Sequence, residues 1–178
     1  MASLFTHVVA AGALGQAAAP ERRSDRRFWY MAALVSVLPD ADVIGFKLGV
    51  RYGDLWGHRG MTHSLLFAAI LGLAAAARFK PAWKGEGRRL ALVFTLITAS
   101  HGLLDALTNG GLGMTFFAPF NRSRYFLPWR PILVSPIGAA NFFNEYGRRV
   151  ILSEIRWVWL PALAIGALLR LLKRPRAG

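Results

Sequence analysis

The sequence predicts an all-α integral membrane protein: a helical bundle of four to five spans, closed on its extracytoplasmic side by one long cap loop. Three observations predict it. Of 178 residues, 54% are hydrophobic and only 17% are charged, whereas a soluble domain holds about a quarter charged residues. The 22 Lys and Arg are gathered rather than dispersed: segments 20–27, 78–89 and 170–178 hold 4, 5 and 4 of them, so 13 lie within 29 positions. Between these segments run apolar stretches long enough to cross a hydrocarbon core, which takes about 17 to 25 residues.

Residues 4–19 form the first stretch. It is short for a span and rich in Ala and Gly, which reads as a tilted or shallow membrane helix. A signal peptide is the competing reading, since Ala17, Ala18 and Ala19 resemble a cleavage site. However, residues 1–6 hold no basic side chain and four Arg follow the stretch, the reverse of signal-peptide order. Residues 28–46, 61–79, 90–108 and 151–172 are the remaining spans. With the amino terminus outside, every basic segment falls in the cytoplasm, the carboxy terminus included, which predicts a single domain over 1–178 in the cytoplasmic (inner) membrane. Residues 109–150 are the cap loop, 42 residues with four Pro and seven Phe or Trp. A loop of that length is uncommon unless functional or disordered, and this one is too apolar for disorder.

The charge order also excludes partners and chemistries. A net charge of +13 would suit nucleic acid if it lay on one amphipathic surface, but these basic residues mark cytoplasmic loops, so the expected partner is the lipid bilayer. The chain has no Cys, which removes disulfides, thiolate metal sites, iron–sulfur clusters and Cys nucleophiles together. Any metal must be held by His, Asp and Glu.

Such groups occur where a membrane chain retains them only for a reason, because a carboxylate at a span centre costs roughly 2.5 to 3.5 kcal/mol on insertion scales. All four histidines (His7, His58, His63, His101) and three of the nine acids (Asp40, Asp42, Asp105) lie in the apolar stretches or at their borders. Under the topology above, each falls in the extracytoplasmic half. His101 and Asp105 are spaced i, i+4 and share a helix face. Pro39 breaks or kinks the second helix, so Asp40 and Asp42 need not face opposite ways. His58-Arg-Gly-Met-Thr-His63 reads as a loop, with Gly60 for the turn and Thr62 as N-cap of a helix beginning near His63. Taken singly, each group has an ordinary structural explanation. Jointly, seven ionisable groups from four segments at one depth predict a shared metal site.

Imidazole and carboxylate without thiolate suit zinc, and also manganese or iron. Seven candidate ligands (His7, Asp40, Asp42, His58, His63, His101, Asp105) exceed what one tetrahedral ion takes, so one or two ions are expected, with Asp105 as the candidate bridge. A two-metal site serves phosphoryl displacement with water as nucleophile. The expected substrate is an ester, foremost a phosphoester, of a lipid or lipid-linked molecule. Asp105, Asp42 and Arg59 are the expected catalytic groups. Arg59, Arg122 and Arg124 at the rim would hold an anionic headgroup, and Thr62, Ser64 and Asn109 would supply supporting hydrogen bonds. The rival readings are a metal or haem carrier, and a structural protein whose cluster locks the bundle.

These residues carry a resemblance. An early His in an Ala/Gly-rich helix, then Leu-Pro-Asp-Ala-Asp, His-Arg-Gly-Met-Thr-His-Ser-Leu-Leu and His-Gly-Leu-Leu-Asp-Ala-Leu-Thr-Asn-Gly-Gly, looks like the YdjM-like inner-membrane family, which carries a metal-dependent hydrolase label. The resemblance covers residues 4–120. It implies a four- or five-helix membrane protein with a metal site at one face. More distantly, the order His, Asp, His, His-x-x-x-Asp is similar to that of zinc-dependent phospholipases C, which implies that His7, Asp40 or Asp42, His58 or His63, His101 and Asp105 carry the metals. The chain departs from that pattern after residue 105, where no His follows and Glu145 and Glu154 are the only carboxylates.

Overall fold

A computed structural model describes residues 1–79 and 83–172. The regular secondary structure of the described residues is helical, with two isolated bridge pairs, Thr108–Ile132 and Met114–Tyr125, and no β-strand among them. Helix α1 (Leu4–Ala18) stops before Pro20, and α2 (Arg26–Val37) starts on an Asp25 cap whose carboxylate accepts from the Arg27 and Phe28 amides at 3.0 and 3.2 Å. The two helices cross where α1 carries Gly15: a Cβ there would lie 2.9 Å from the Trp29 ring and 3.1 Å from Phe28.

The predicted helix over 28–46 ends early. Pro39 has no amide N–H to continue the α ladder, and the chain goes on as a 3-10 segment, Leu38–Leu48. Runs of that type beyond three or four residues are uncommon and often mark functional stretches. The helix predicted over 61–79 is α3 (Leu65–Ala77), and its N-cap is Ser64 rather than Thr62: the Ser64 hydroxyl accepts from the Phe67 amide at 3.1 Å. The Thr62 hydroxyl is engaged elsewhere, on Asp42.

Helix α3 lies against α4 (Arg88–Ala106), which follows a π turn at Trp83–Gly87. Their contact depends on Gly72, where a Cβ would meet Thr95 Oγ1 at 2.2 Å and the Thr95 backbone nitrogen at 2.6 Å. Phe28, Val35, Leu90, Phe94 and Ile97 fill the core between α1, α2 and α4. Helices α5 (Glu145–Glu154) and α6 (Leu160–Leu172) join through a π turn at Ile155–Trp159 into one continuous rod.

Gly85–Ala106 and Glu145–Leu168, of 22 and 24 residues, are long and apolar enough to cross a membrane, while Leu4–Ala18 and Leu65–Ala77 are shorter apolar helices. Only 11% of the most apolar stretch of Glu145–Leu168 is buried against the rest of the chain. Leu160, Leu163, Ile165 and Leu168 stay exposed on it, a burden that a lipid surround removes. Of the predicted cytoplasmic basic residues, Lys80, Lys173, Arg174 and Arg176 lie outside the described residues.

The segment after α4 folds over the ends of the helices. The Asn109 amide donates to the Ile132 carbonyl, Met114 and Tyr125 exchange both backbone bonds, and the Leu127 amide donates to the Ala106 carbonyl. The Leu65 amide, one of the orphan donors at the start of α3, finds the Phe116 carbonyl at 2.9 Å.

Candidate metal centre

Four chain segments converge under that segment. Helix α4 brings His101 and Asp105 on its buried face, and α1 brings His7 from its first turn. The 3-10 segment brings Asp40 and Asp42. At three residues per turn, side chains two apart diverge by about 120°, and these two reach opposite edges of one ring. Asp40 Oδ1 lies 3.6 Å from His63 Nε2, and Asp42 Oδ2 lies 3.3 Å from His63 Nδ1.

Hydrogen-bond partners separate the roles of groups that look alike in the sequence. His101 Nδ1 sits 2.7 Å from the Ser36 carbonyl, which can only accept. Nδ1 therefore carries the proton, and the Nε2 lone pair faces the cluster. His58 Nδ1 sits 2.7 Å from Asp42 Oδ1, which frees His58 Nε2 in the same way. Asp42 Oδ2 accepts from the Thr62 hydroxyl at 2.7 Å and from the Arg59 amide at 3.3 Å. The Thr62 oxygen in turn faces His63 Nδ1 at 3.0 Å, so His63 also presents Nε2. Asp42 is thus an orienting carboxylate with both oxygens occupied, the arrangement that sets imidazole tautomers around metals. Asp40 has neither oxygen hydrogen-bonded.

Two groups of residues can hold an ion. Asp40, His63, His101 and Asp105 each offer an atom within 4.8 Å of the others, and Asp42, His58 and His63 form a second group that shares His63. Ligands of a tetrahedral ion with bonds of 2.0 to 2.1 Å stand about 3.3 Å apart. His63 Nε2 to His101 Nε2 is 3.1 Å, His101 Nε2 to Asp40 Oδ1 is 3.3 Å, and His63 Nε2 to Asp105 Oδ2 is 3.8 Å. Two imidazole lone pairs 3.1 Å apart repel unless a proton or a cation lies between them. His7 flanks this set: its ring stacks on His101 with centroids 3.7 Å apart, and its Nε2 is 3.5 Å from Asp105 Oδ1.

Both ring nitrogens of His7, both oxygens of Asp40, His58 Nε2, Arg59 Nε and Asp105 Oδ2 are buried without a hydrogen-bond partner. Each orphan of this kind costs about 1 to 3 kcal/mol, and six of the seven atoms are lone-pair donors or ring nitrogens of one cluster. That is the donor set a divalent cation satisfies, so the residues present fit such an ion.

Arg59 is not at the rim. It is fully buried, with Nη1 donating to the Gly110 and Leu112 carbonyls at 2.8 and 2.7 Å and Nη2 to Thr108 Oγ1 at 3.0 Å. Its Nε faces Asp105 Oδ2 at 3.6 Å. Its backbone has φ +65°, a left-handed conformation that a non-glycine residue rarely holds, so Arg59 and not Gly60 makes the left-handed bend. Gly60 is required for space: a Cβ there would lie 2.2 Å from the Leu55 carbonyl oxygen.

The other expected substrate-binding groups have local duties. Ser64 caps α3, and Asn109 Oδ1 accepts from the Val134 amide at 2.9 Å. Arg124 is half-buried and donates to the Gly113 and Tyr52 carbonyls at 3.1 and 3.3 Å, and burial lowers its pKa from the ordinary value. Burial likewise raises the Tyr52 phenol, which keeps its proton beside Arg59. Arg122 is exposed, with no ion pair among the described residues. Glu145 pairs with Arg148 at 2.7 Å on the surface, away from the cluster.

Glu154 carries a role that the sequence reading did not assign. It is fully buried and accepts from the Ser3 amide, the Ser3 hydroxyl and the Thr6 hydroxyl at 2.5, 2.5 and 2.8 Å. It thereby anchors the turn of α1 that bears His7. An acid inside an apolar span is the signal that points to it.

A sequence profile of the YdjM inner membrane protein family matches residues 1–176. The chain belongs to this family. Its relative YbcI, an inner membrane protein of Escherichia coli (strain K12), is 39% identical over 143 residues, which cover 80% of this chain and 83% of that protein. No solved structure matches. As a member of the YdjM family, the chain is an inner membrane protein, which accounts for the exposed apolar faces of α6 and α1. The acidic and histidine cluster is then enclosed within a membrane bundle rather than displayed in a soluble cleft.

Proposed function

We propose that the chain is a membrane-embedded, metal-dependent hydrolase that cleaves an ester, foremost a phosphoester, of a lipid or lipid-linked substrate. The supporting observation is the set of unpartnered polar atoms of His7, Asp40, His58 and Asp105, enclosed beneath one loop together with the His63 and His101 Nε2 atoms that face each other at 3.1 Å. A zinc, manganese or iron ion held there supplies a Lewis acid for the ester oxygen and an acidified water. The chain's own contribution is positional: Asp42 and the Ser36 carbonyl aim the imidazoles, and Arg59 keeps positive charge against Asp105 where negative charge grows. The disposition that goes with this reading has four to five spans, with amino terminus, cap loop and centre extracytoplasmic and the carboxy terminus cytoplasmic. It rests on the order of the basic segments.

A second reading has an observation of its own. His7, Asp40, His58, His63, His101 and Asp105 are each at most 5% exposed, which leaves almost no ligand surface for a substrate to meet. On that reading the ion locks the bundle and no substrate reaches it. One experiment separates them: metal analysis of the purified protein, followed by turnover of phospholipid and lipid-linked phosphoesters with metal present and removed. The hydrolase reading expects one or two ions per chain and turnover that disappears on chelation and in Asp105→Asn. Bound metal with no turnover, and a fall in thermal stability on chelation, favours the locking role. A metal-free protein unaffected by His101→Ala overturns both.

A further inference from the structure

Helix α1 and the α5–α6 rod leave the metal centre side by side. They are tied at that end by Glu154 on Ser3 and Thr6 and by Trp159 Nε1 donating to Thr6 Oγ1 at 2.7 Å. Beyond these ties α1 and α6 remain neighbours. Between residues 9–17 of one and 158–167 of the other lies a groove of about 1020 Å³, at the upper end of the roughly 300 to 1,000 Å³ of ligand sites. Small side chains make the space, Gly12 and Ala13 on one wall and Ala162 and Gly166 on the other, and a Cβ at either glycine meets no atom within 4 Å.

Apart from Gln16 the groove is apolar between its ends, and it is basic at one of them. Arg23 lines the end remote from the centre, exposed and without an ion pair among the described residues. Its neighbour Arg22, by contrast, is neutralised by Asp25 and Glu86. Arg26 and Arg27, also exposed and unpaired, add to the positive field there. The Trp29 indole, whose Nε1 donates to the Arg23 carbonyl at 3.0 Å, sits beside them as aromatic side chains do at headgroup level. The site-bearing turn at His7 and the Arg23 end are separated by most of α1, about 15 Å at 1.5 Å per residue.

We propose that this groove holds one anionic membrane phospholipid, its acyl chain against the small-residue walls and its phosphate on Arg23. An inner membrane protein opens such a groove to acyl chains, and the unpaired guanidinium selects an anionic headgroup. A second copy of the chain fits less well, because a net charge of +13 repels its own kind and leaves Arg23 without a counterion. The site stands apart from the metal centre and does not depend on its chemistry.

The test is native mass spectrometry of the full chain in detergent, with phosphatidylglycerol or phosphatidylcholine of matched acyl chains. The wild type should retain one phosphatidylglycerol per chain, at least fivefold over phosphatidylcholine. Arg23→Gln should bring that ratio near one. Gly12→Leu and Gly166→Leu, which fill the groove, should cut retention of both lipids at least fivefold while leaving the unfolding temperature unchanged. A wild-type ratio near one, or a preference that survives Arg23→Gln, overturns the proposal. So does a lipid-free dimer that Gly166→Leu dissociates, which would give the groove to a second copy. Should the glycine variants fail to fold, the Arg23→Gln ratio decides alone.

Discussion

Asp40 and Asp42 stand two residues apart with the same chemistry, and their surroundings give them different work. Asp42 has both oxygens on hydrogen-bond donors and turns His58 and His63, whereas Asp40 has both oxygens unpartnered. Loss of an outer carboxylate of this kind costs roughly 10- to 100-fold in metal affinity. With zinc in the proposed site, Asp42→Asn is therefore expected to weaken binding about that much, read by competition with a chelator, while Asp40→Asn removes a proposed ligand and should leave metal content near zero. Equal losses in the two variants would erase the distinction. Glu154 is tested at the same scale. Glu154→Ala strands the Ser3 amide and two hydroxyls in a buried place, at about 1 to 3 kcal/mol per group. The expected result is a lower unfolding temperature and weakened metal retention through His7, with Glu154→Gln, which can still accept and donate, close to wild type in both.

At the scale of elements, the bundle depends on places where a side chain is missing. Helix α3 touches α4 through Gly72, and a Cβ 2.2 Å from Thr95 Oγ1 would force the helices apart. Overpacking of this kind costs typically 1 to 3 kcal/mol, so Gly72→Ala should lower thermal stability by that order, and Gly12→Ala, on the open groove, should not. Measured unfolding of the two variants in one detergent checks this. The segment Leu38–Leu48 matters in the opposite sense. Apolar periodicity alone extends the second helix through residue 46, and a regular helix would have sent Asp40 and Asp42 to nearly opposite faces. Pro39 is legible as a break; the 3-10 course of the 11 residues Leu38–Leu48, and with it the approach of both carboxylates to His63, is not.

For the whole molecule, the absence of Cys makes topology measurable by single-cysteine labelling. With the centre extracytoplasmic, Ser123→Cys in the exposed part of the cap loop should react with an impermeant maleimide in intact cells. Arg26→Cys, in the first basic segment, should react only after the membrane is opened. The reverse pattern would invert the orientation and move the centre to the cytoplasmic side.

Composition, the order of basic segments and the spacing of His101 and Asp105 determined by themselves that this chain is a helical membrane protein carrying His and Asp groups able to ligate a metal. Those properties are local or additive, and they survive any arrangement of the helices. The tertiary structure alone decided which groups face the centre. Arg59 reads in sequence as a surface anion anchor, yet it is buried with its guanidinium on carbonyls of a segment some 50 residues away. Glu154 stands 151 residues from the Ser3 it binds. A hydrogen bond consumes a lone pair or a proton wherever its partner originates in the chain, so whether an imidazole or a carboxylate remains free for a metal is set by long-range packing.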